Sequence, residues 1–248
     1  MYLRSRVNLL VVCGLLAALG APRTVSADAT RIVGKVVFDG GPGDYKRVVL
    51  DTSKDPNCKK AKPKIGSENV VLNTKTDPVT VRNVLVAIKD GLGDAVFPTP
   101  STPVTLTQVG CTYEPHVLGI VEGQPLKILN GDETNHNIHF LPEVNEEINF
   151  TQPKKDLEAG KEVKLVAEKP FKVKCDVHPW MGCHVGVFKH PFFSVTDTDG
   201  TFELKGMPGG KYVIEAWHEE FGTLTAEVNV ATGETAEADL TYKPKPGK

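Results

Sequence analysis

The feature that most constrains this chain is a succession of short β-branched segments that never settles into a helical repeat. "RIVGKVVF", "VRNVLVAI", "PVTLTQV", "EVKLVA", "FKVKC", "HVGVF", "TFELKG", "KYVIEAW" and "TAEVNVA" are each cut off by Gly, Pro, Asp or Asn. That is how strands closed by tight turns read. No window keeps apolar residues at helical spacing over three turns, and only "EVNEEINFTQPKKDLEAG" at 143–160 leaves a short helix or an irregular loop open. The expected fold class is all-β and sandwich-like. With 248 residues, 40% of them hydrophobic, the chain can bury a sizeable core, and disorder is not its default state.

The first 27 residues stand apart. Arg4 and Arg6 precede the apolar run "VNLLVVCGLLAALGA", and "VSA" at 25–27 offers small residues for cleavage, so 1–27 reads as a secretory signal with a mature start near Asp28. The run is shorter than the roughly 20 residues a spanning helix needs, so no permanent membrane span is expected. A lipoprotein reading through Cys13 is disfavoured because Val12 stands where a small residue belongs. Losing Arg4, Arg6 and Arg23 leaves 26 basic against 31 acidic residues, and nothing basic points to nucleic acid. The expected location is periplasmic, extracellular or in the cell envelope, where disulfides persist. Four cysteines remain there: Cys58, Cys111, Cys175 and Cys183.

Chemistry concentrates in "CDVHPWM" at 175–181, which holds a thiol, an imidazole and a thioether within seven positions. Copper that cycles between two oxidation states favours one thiolate, two imidazoles and a weak axial thioether. Cys175 ends the strand-like "FKVKC", His178 and Met181 lie in the following turn, and "GCHVGVF" leads back out. A strand-turn-strand hairpin can aim all three donors at one point. The missing imidazole is sought in "NHNIHF", where His136 and His139 face opposite ways if the segment is extended. His136, nearer the loop, is the expected ligand. Zinc on Cys175, His178, Cys183 and His184 is the rival. Adjacent strand residues point to opposite faces, however, so Cys183 and His184 cannot both turn inward.

At these residues the segment 104–188 resembles the cupredoxin family, of the amicyanin and plastocyanin types. It carries Val121, Gly123, Leu126, Asn130 and Asp132, then His136-Asn137, then Cys175, His178 and Met181 at two-residue spacings. The resemblance implies His136, Cys175 and His178 as equatorial ligands of one type 1 copper and Met181 as the axial one. Asn137 would brace the thiolate loop and Pro179 would stiffen it. It further implies a one-electron carrier rather than an enzyme, with a redox protein partner such as a c-type cytochrome or a dehydrogenase. His178 is expected to approach the surface, with Pro179, Trp180 and Met181 as an apolar docking patch, Trp180 serving equally well as buried packing. The alternative function is a structural or partner-binding sandwich with a zinc or copper storage site.

"VTDTDGTFELKGMPGGKYVIEAWHE" resembles the later strands of the carboxypeptidase regulatory-like (transthyretin-like) sandwich, with turn residues at Asp199-Gly200 and Pro208-Gly209-Gly210. "IVGKVVFDGG" and "NVLVAIKDG" look like its opening strands. The expected organisation is a signal over 1–27, one sandwich built from 28–99 and 189–243, a cupredoxin domain at 100–188 inserted between its halves, and a tail at 244–248. Cys183 shares strand parity with Val185 and Val187 and is read as a buried thiol. Cys58 and Cys111 are then left for each other as a disulfide, a Cys111 to Cys183 bridge remaining the alternative. Cys111 and His116 lack a third matched donor and are read as structural, as are Trp217 and a hydrogen-bonded His218 in "WHEE".

Overall fold

The computed structural model describes residues 30–244 apart from Pro42 and Pro63. The expected signal at 1–27 lies outside the described residues, as do residues 245–248 of the expected tail. No helix among the described residues is long and apolar enough to cross a membrane.

The N-terminal strands are β1 (Arg31–Phe38), β2 (Val49–Asp51), β3 (Lys64–Gly66), β4 (Leu72–Asn73), β5 (Thr80–Val81) and β6 (Leu85–Asp90), with the short helix α1 (Pro56–Ala61) between β2 and β3. After a strand-free stretch come β7 (Val104–Val109), β8 (Thr112–Glu114), β9 (Val117–Val121), β10 (Leu126–Asn130), β11 (His136–Leu141), β12 (Asn149–Gln152), β13 (Asp156–Val163), β14 (Glu168–Lys174) and β15 (Gly182–Phe188). The chain closes with β16 (Phe193–Val195), β17 (Thr201–Lys205), β18 (Gly210–His218), β19 (Gly222–Val230), β20 (Thr235–Glu237) and β21 (Leu240–Tyr242). The protein is all-β, as its sequence leads one to expect.

The middle strands form two sheets, β13-β10-β7-β8 and β12-β11-β14-β15-β9. They enclose a core that includes Leu106, Ile120, Ile128, Phe140, Val173 and Val185. Around a second core, which includes Ile32, Val36, Val86, Ile214 and Leu240, lie the sheets β17-β1-β5-β4 and β16-β6-β18-β19, with β20 and β21 also alongside β1. N-terminal and C-terminal strands therefore share sheets: β1 runs antiparallel to β17, and β6 lies between β16 and β18. The period of two explains most of this. In β1, Ile32, Val36 and Phe38 turn inward, and in β18 Tyr212, Ile214, Ala216 and His218 do the same.

β15 departs from alternation, since Cys183 through Val187 are all buried. One of its faces joins the middle core while the other meets strands of the flanking sandwich. There Gly186 pairs in register with Gly119 of the parallel neighbour β9. A Cβ on Gly119 would sit 2.5 Å from Phe193 Cδ2, and one on Gly186 would sit 2.6 Å from Leu85 Cδ2. The paired glycines thus leave a trough that admits two side chains of the other sandwich, the use strands make of glycine where another element approaches closely. Phe193 also stacks on Phe188, ring centroids 4.8 Å apart.

Two local expectations change. Residues 143–160 hold β12 and part of β13 rather than a helix, and β13 reads poorly in sequence because most of its side chains are exposed. Meanwhile α1 has a readable start: Asp55 precedes Pro56, and its carboxylate accepts from the backbone N–H groups of Asn57 (2.8 Å) and Cys58 (3.0 Å). Asp as N-cap with Pro at the first helical position is a strong initiation signal.

Candidate metal centre

β11 begins at His136 and β14 ends one residue before Cys175, so the register that pairs these antiparallel strands brings both residues to one end of the middle sandwich. The loop from Cys175 to Met181 closes on itself, with Cys175 N–H donating to the Met181 carbonyl (3.3 Å) and Met181 N–H to the His178 carbonyl (2.9 Å). One potential ligand atom each from His136, Cys175 and His178 lies within 4.8 Å of the others, and all three residues are buried. Met181 is buried in the same core cluster as Cys175. Asn137 Oδ1 accepts from the Asp176 N–H (3.1 Å), which ties the loop to β11, and Pro179 is exposed beside it.

The two imidazoles present their Nδ1 atoms to each other at 3.0 Å, and His178 Nδ1 lies 3.8 Å from the Cys175 sulfur. Their outer nitrogens are each held by a carboxylate: His136 Nε2 by Asp132 at 2.8 Å and His178 Nε2 by Asp55 at 3.2 Å. An imidazole that donates Nε2–H to a carboxylate keeps its Nδ1 lone pair free and becomes a better ligand. Two such lone pairs facing at 3.0 Å repel unless a proton or a cation lies between them. Burial alone would raise the Cys175 thiol, but hydrogen bonding with His136 and His178 outweighs it and brings the group down to about 6. Burial also works against the charged forms of both imidazoles, yet the bonds to Asp132, Asp55 and Cys175 leave both raised. The pocket is therefore built around a thiolate and two imidazoles, a soft and borderline donor set that fits copper.

The carboxylates are anchored in turn by a disulfide. Cys58 and Cys111 are bonded, as the sequence leads one to expect. Asp55 caps the helix that carries Cys58, while Asp132 accepts from Gly110 N–H and Cys111 N–H, both at 2.8 Å. Cys58 Sγ itself lies 3.8 Å from His178 Nε2. The disulfide thus backs both imidazoles, one through each half.

This arrangement corrects the expectation that His178 approaches the surface. It is 2% exposed, covered by Asp55 and the start of α1, an N-terminal segment whose docking onto this loop no local pattern announces. The proposed apolar patch changes as well: Met181 is buried, and Trp180 is half-buried with its indole N–H donating to the Cys111 carbonyl (3.1 Å), so only Pro179 stays exposed. His139 points elsewhere, bonding Asp176 (2.8 Å) and Glu147 (2.6 Å). Cys183 is a free, fully buried thiol, pushed up by burial. His218 accepts at Nδ1 from the N–H groups of Glu220 (3.2 Å) and Phe221 (3.3 Å), in keeping with a structural role.

Fold and site together define an all-β protein of stacked sheets with a buried thiolate-imidazole pocket at one end of its middle sandwich. No protein-family model and no curated protein matches the chain. Among solved structures, a reduced Cu(I) form of an amicyanin variant aligns at 22% identity and TM-score 0.30, covering 41% of this chain and 97% of that one. A purple cupredoxin from Nitrosopumilus maritimus aligns at 24% identity and TM-score 0.27, covering 34% and 97%. A copper-containing nitrite reductase from Thermus scotoductus aligns at 27% identity and TM-score 0.27, covering 39% of this chain and 24% of its own.

Proposed function

We propose that His136, Cys175 and His178, with Met181 as a weak axial donor, hold one type 1 copper, and that the protein is an exported single-electron carrier. The observation that carries this reading is the buried meeting of one sulfur and two opposed Nδ1 atoms, each imidazole fixed from behind by a carboxylate. Copper held there supplies a Cu(II)/Cu(I) couple. The chain's part is to hold the donors still: Asn137 and the two loop hydrogen bonds fix Cys175, and the disulfide-backed carboxylates fix both rings. A site that does not move between oxidation states suits rapid electron transfer. Because α1 covers His178, the approach for a partner is the cavity of about 450 Å³ bordered by Cys175, Pro179, Trp180 and Met181. The partner in this reading is a redox protein such as a c-type cytochrome or a dehydrogenase.

The disulfide suits an oxidising compartment such as the periplasm, in line with the signal read in residues 1–27. The flanking strands are proposed as a split transthyretin-like domain that carries the copper domain. Copper-loaded protein is expected to show an intense visible thiolate-to-copper band and a narrow-hyperfine Cu(II) spectrum. Persistence of that band in Cys175→Ser would refute the assignment. Met181→Ala is expected to keep its copper and shift its reduction potential, and loss of all copper would refute the axial role.

A further inference from the structure

A second group of donors lies where the two sandwiches meet, and the copper reading has no use for it. His116 directly precedes β9, His184 is the third residue of β15, and Glu219 follows the last residue of β18. The first two come from the middle sandwich and the third from the flanking one. One potential ligand atom from each lies within 4.8 Å of the others. His116 and His184 are 9% and 8% exposed, and the Glu219 side chain 11%. The sequence around His116 shows no third donor, because its companions are 68 and 103 residues away and meet it only through β9-β15 pairing and the packing of β18.

The arrangement is incomplete as a hydrogen-bonding network. Glu219 Oε1 contacts His116 Nε2, and Glu219 Oε2 accepts from Asn69 Nδ2 (2.9 Å), which orients the carboxylate. His184 Nδ1, by contrast, is a buried nitrogen with no hydrogen-bond partner among the described residues, 3.8 Å from Glu219 Oε1. A buried nitrogen left without a partner is costly, and a ligand at this point would satisfy it. Burial holds the His184 imidazole down at about 4, which keeps that lone pair available at neutral pH. Glu219 is lowered although burial pulls it upward, chiefly because His116 hydrogen-bonds it, so the carboxylate is charged. The ring of His184 is set in place by Trp217, centroids 5.0 Å apart, and its backbone N–H donates to the His116 carbonyl (2.9 Å). Lys172, opposite His184 in the register, is exposed.

We propose that His116, His184 and Glu219 form a second metal site, for a borderline divalent cation of the Zn(II) class, that clamps the two sandwiches together. Two imidazoles and one carboxylate are a donor set zinc accepts, whereas calcium and magnesium ask for oxygen. All three residues also border the cavity that Cys175 and Met181 border, which leaves room for solvent as a further ligand. This inference is independent of the copper assignment.

The test uses the full chain stripped by a chelator and dialysed against Zn(II), with metal per protein read by mass spectrometry. To remove the thiolate centre from the count, the parent is Cys175→Ser. It is expected to bind one equivalent. Adding His184→Ala, or the near-isosteric Glu219→Gln, is expected to weaken that binding at least tenfold, and a parallel titration with Co(II) should lose its visible d-d absorption in both. A Cys175→Ser parent that binds no zinc would overturn the proposal, as would double variants that bind zinc as tightly as the parent.

Discussion

Removing the Cys58 to Cys111 bridge is expected to weaken the protein and loosen the metal centre together. The bridge spans 53 positions of sequence. In the chain-entropy account, closing a loop of that length removes about 14 cal/mol/K from the unfolded ensemble, or about 4 kcal/mol at 25 °C. Alanine is the proper replacement at both positions, because Cys58 and Cys111 are buried and a serine would bury two hydroxyls as well. The Cys58→Ala, Cys111→Ala protein is therefore expected to lose about 2–4 kcal/mol, the lower figure allowing for structure retained in the unfolded chain. The assay is urea unfolding followed by tryptophan fluorescence, with one tryptophan kept at a time. Trp180 donates to the Cys111 carbonyl, while Trp217 belongs to β18 of the other sandwich and packs against His184. In a Trp217→Phe background the Trp180 signal should report the loss directly. The same variant releases the supports of Asp55 and Asp132, so copper loaded at the proposed centre should exchange faster. A loss below about 1 kcal/mol, with unchanged copper exchange, would refute the view that the bridge braces this end of the molecule.

Two further outcomes follow from the packing. Gly119→Val should cost about 1–3 kcal/mol in thermal unfolding, because its Cβ would meet Phe193 at 2.5 Å, even though valine is the better strand former; a neutral or stabilising result would mean that the trough is not tightly filled. His190 is held below the ordinary histidine range by burial, against the upward pull of its bond to the Ile88 carbonyl (2.8 Å). Its unfolded form takes up a proton near pH 6.5 while the folded form resists, so its contribution is whole above that pH and is lost as pH falls toward the folded value. His190→Gln should accordingly show a smaller drop in urea midpoint between pH 7.5 and 5.5 than the parent, and equal drops would refute the reasoning.

The legible part of the centre was local. Cys175, His178 and Met181 lie within seven positions, so their spacing alone placed them in one turn, and strand parity alone separated Cys183 from His184. Asp55 stands before Pro56 in a helix-start pattern recognised only in the structure, and its Oδ2 reaches His178 across 123 positions, which no short-range signal could carry. Asp132 was visible as part of a motif and silent about its role, since an acidic residue in a loop is ordinarily solvated. Its bonds to Gly110, Cys111 and His136 exist only once the β7-β8 turn lies against the start of β11.

By itself the sequence determined the all-β class and the contents of the thiolate loop, because alternation, turn residues and donor spacing act over a few positions. Tertiary structure decided what covers that loop, where the glycine trough lies, and that His116, His184 and Glu219 meet. Those outcomes depend on which strands become neighbours and in what register, and a one-residue slip would turn His184 to the opposite face while leaving every local pattern in the sequence unchanged.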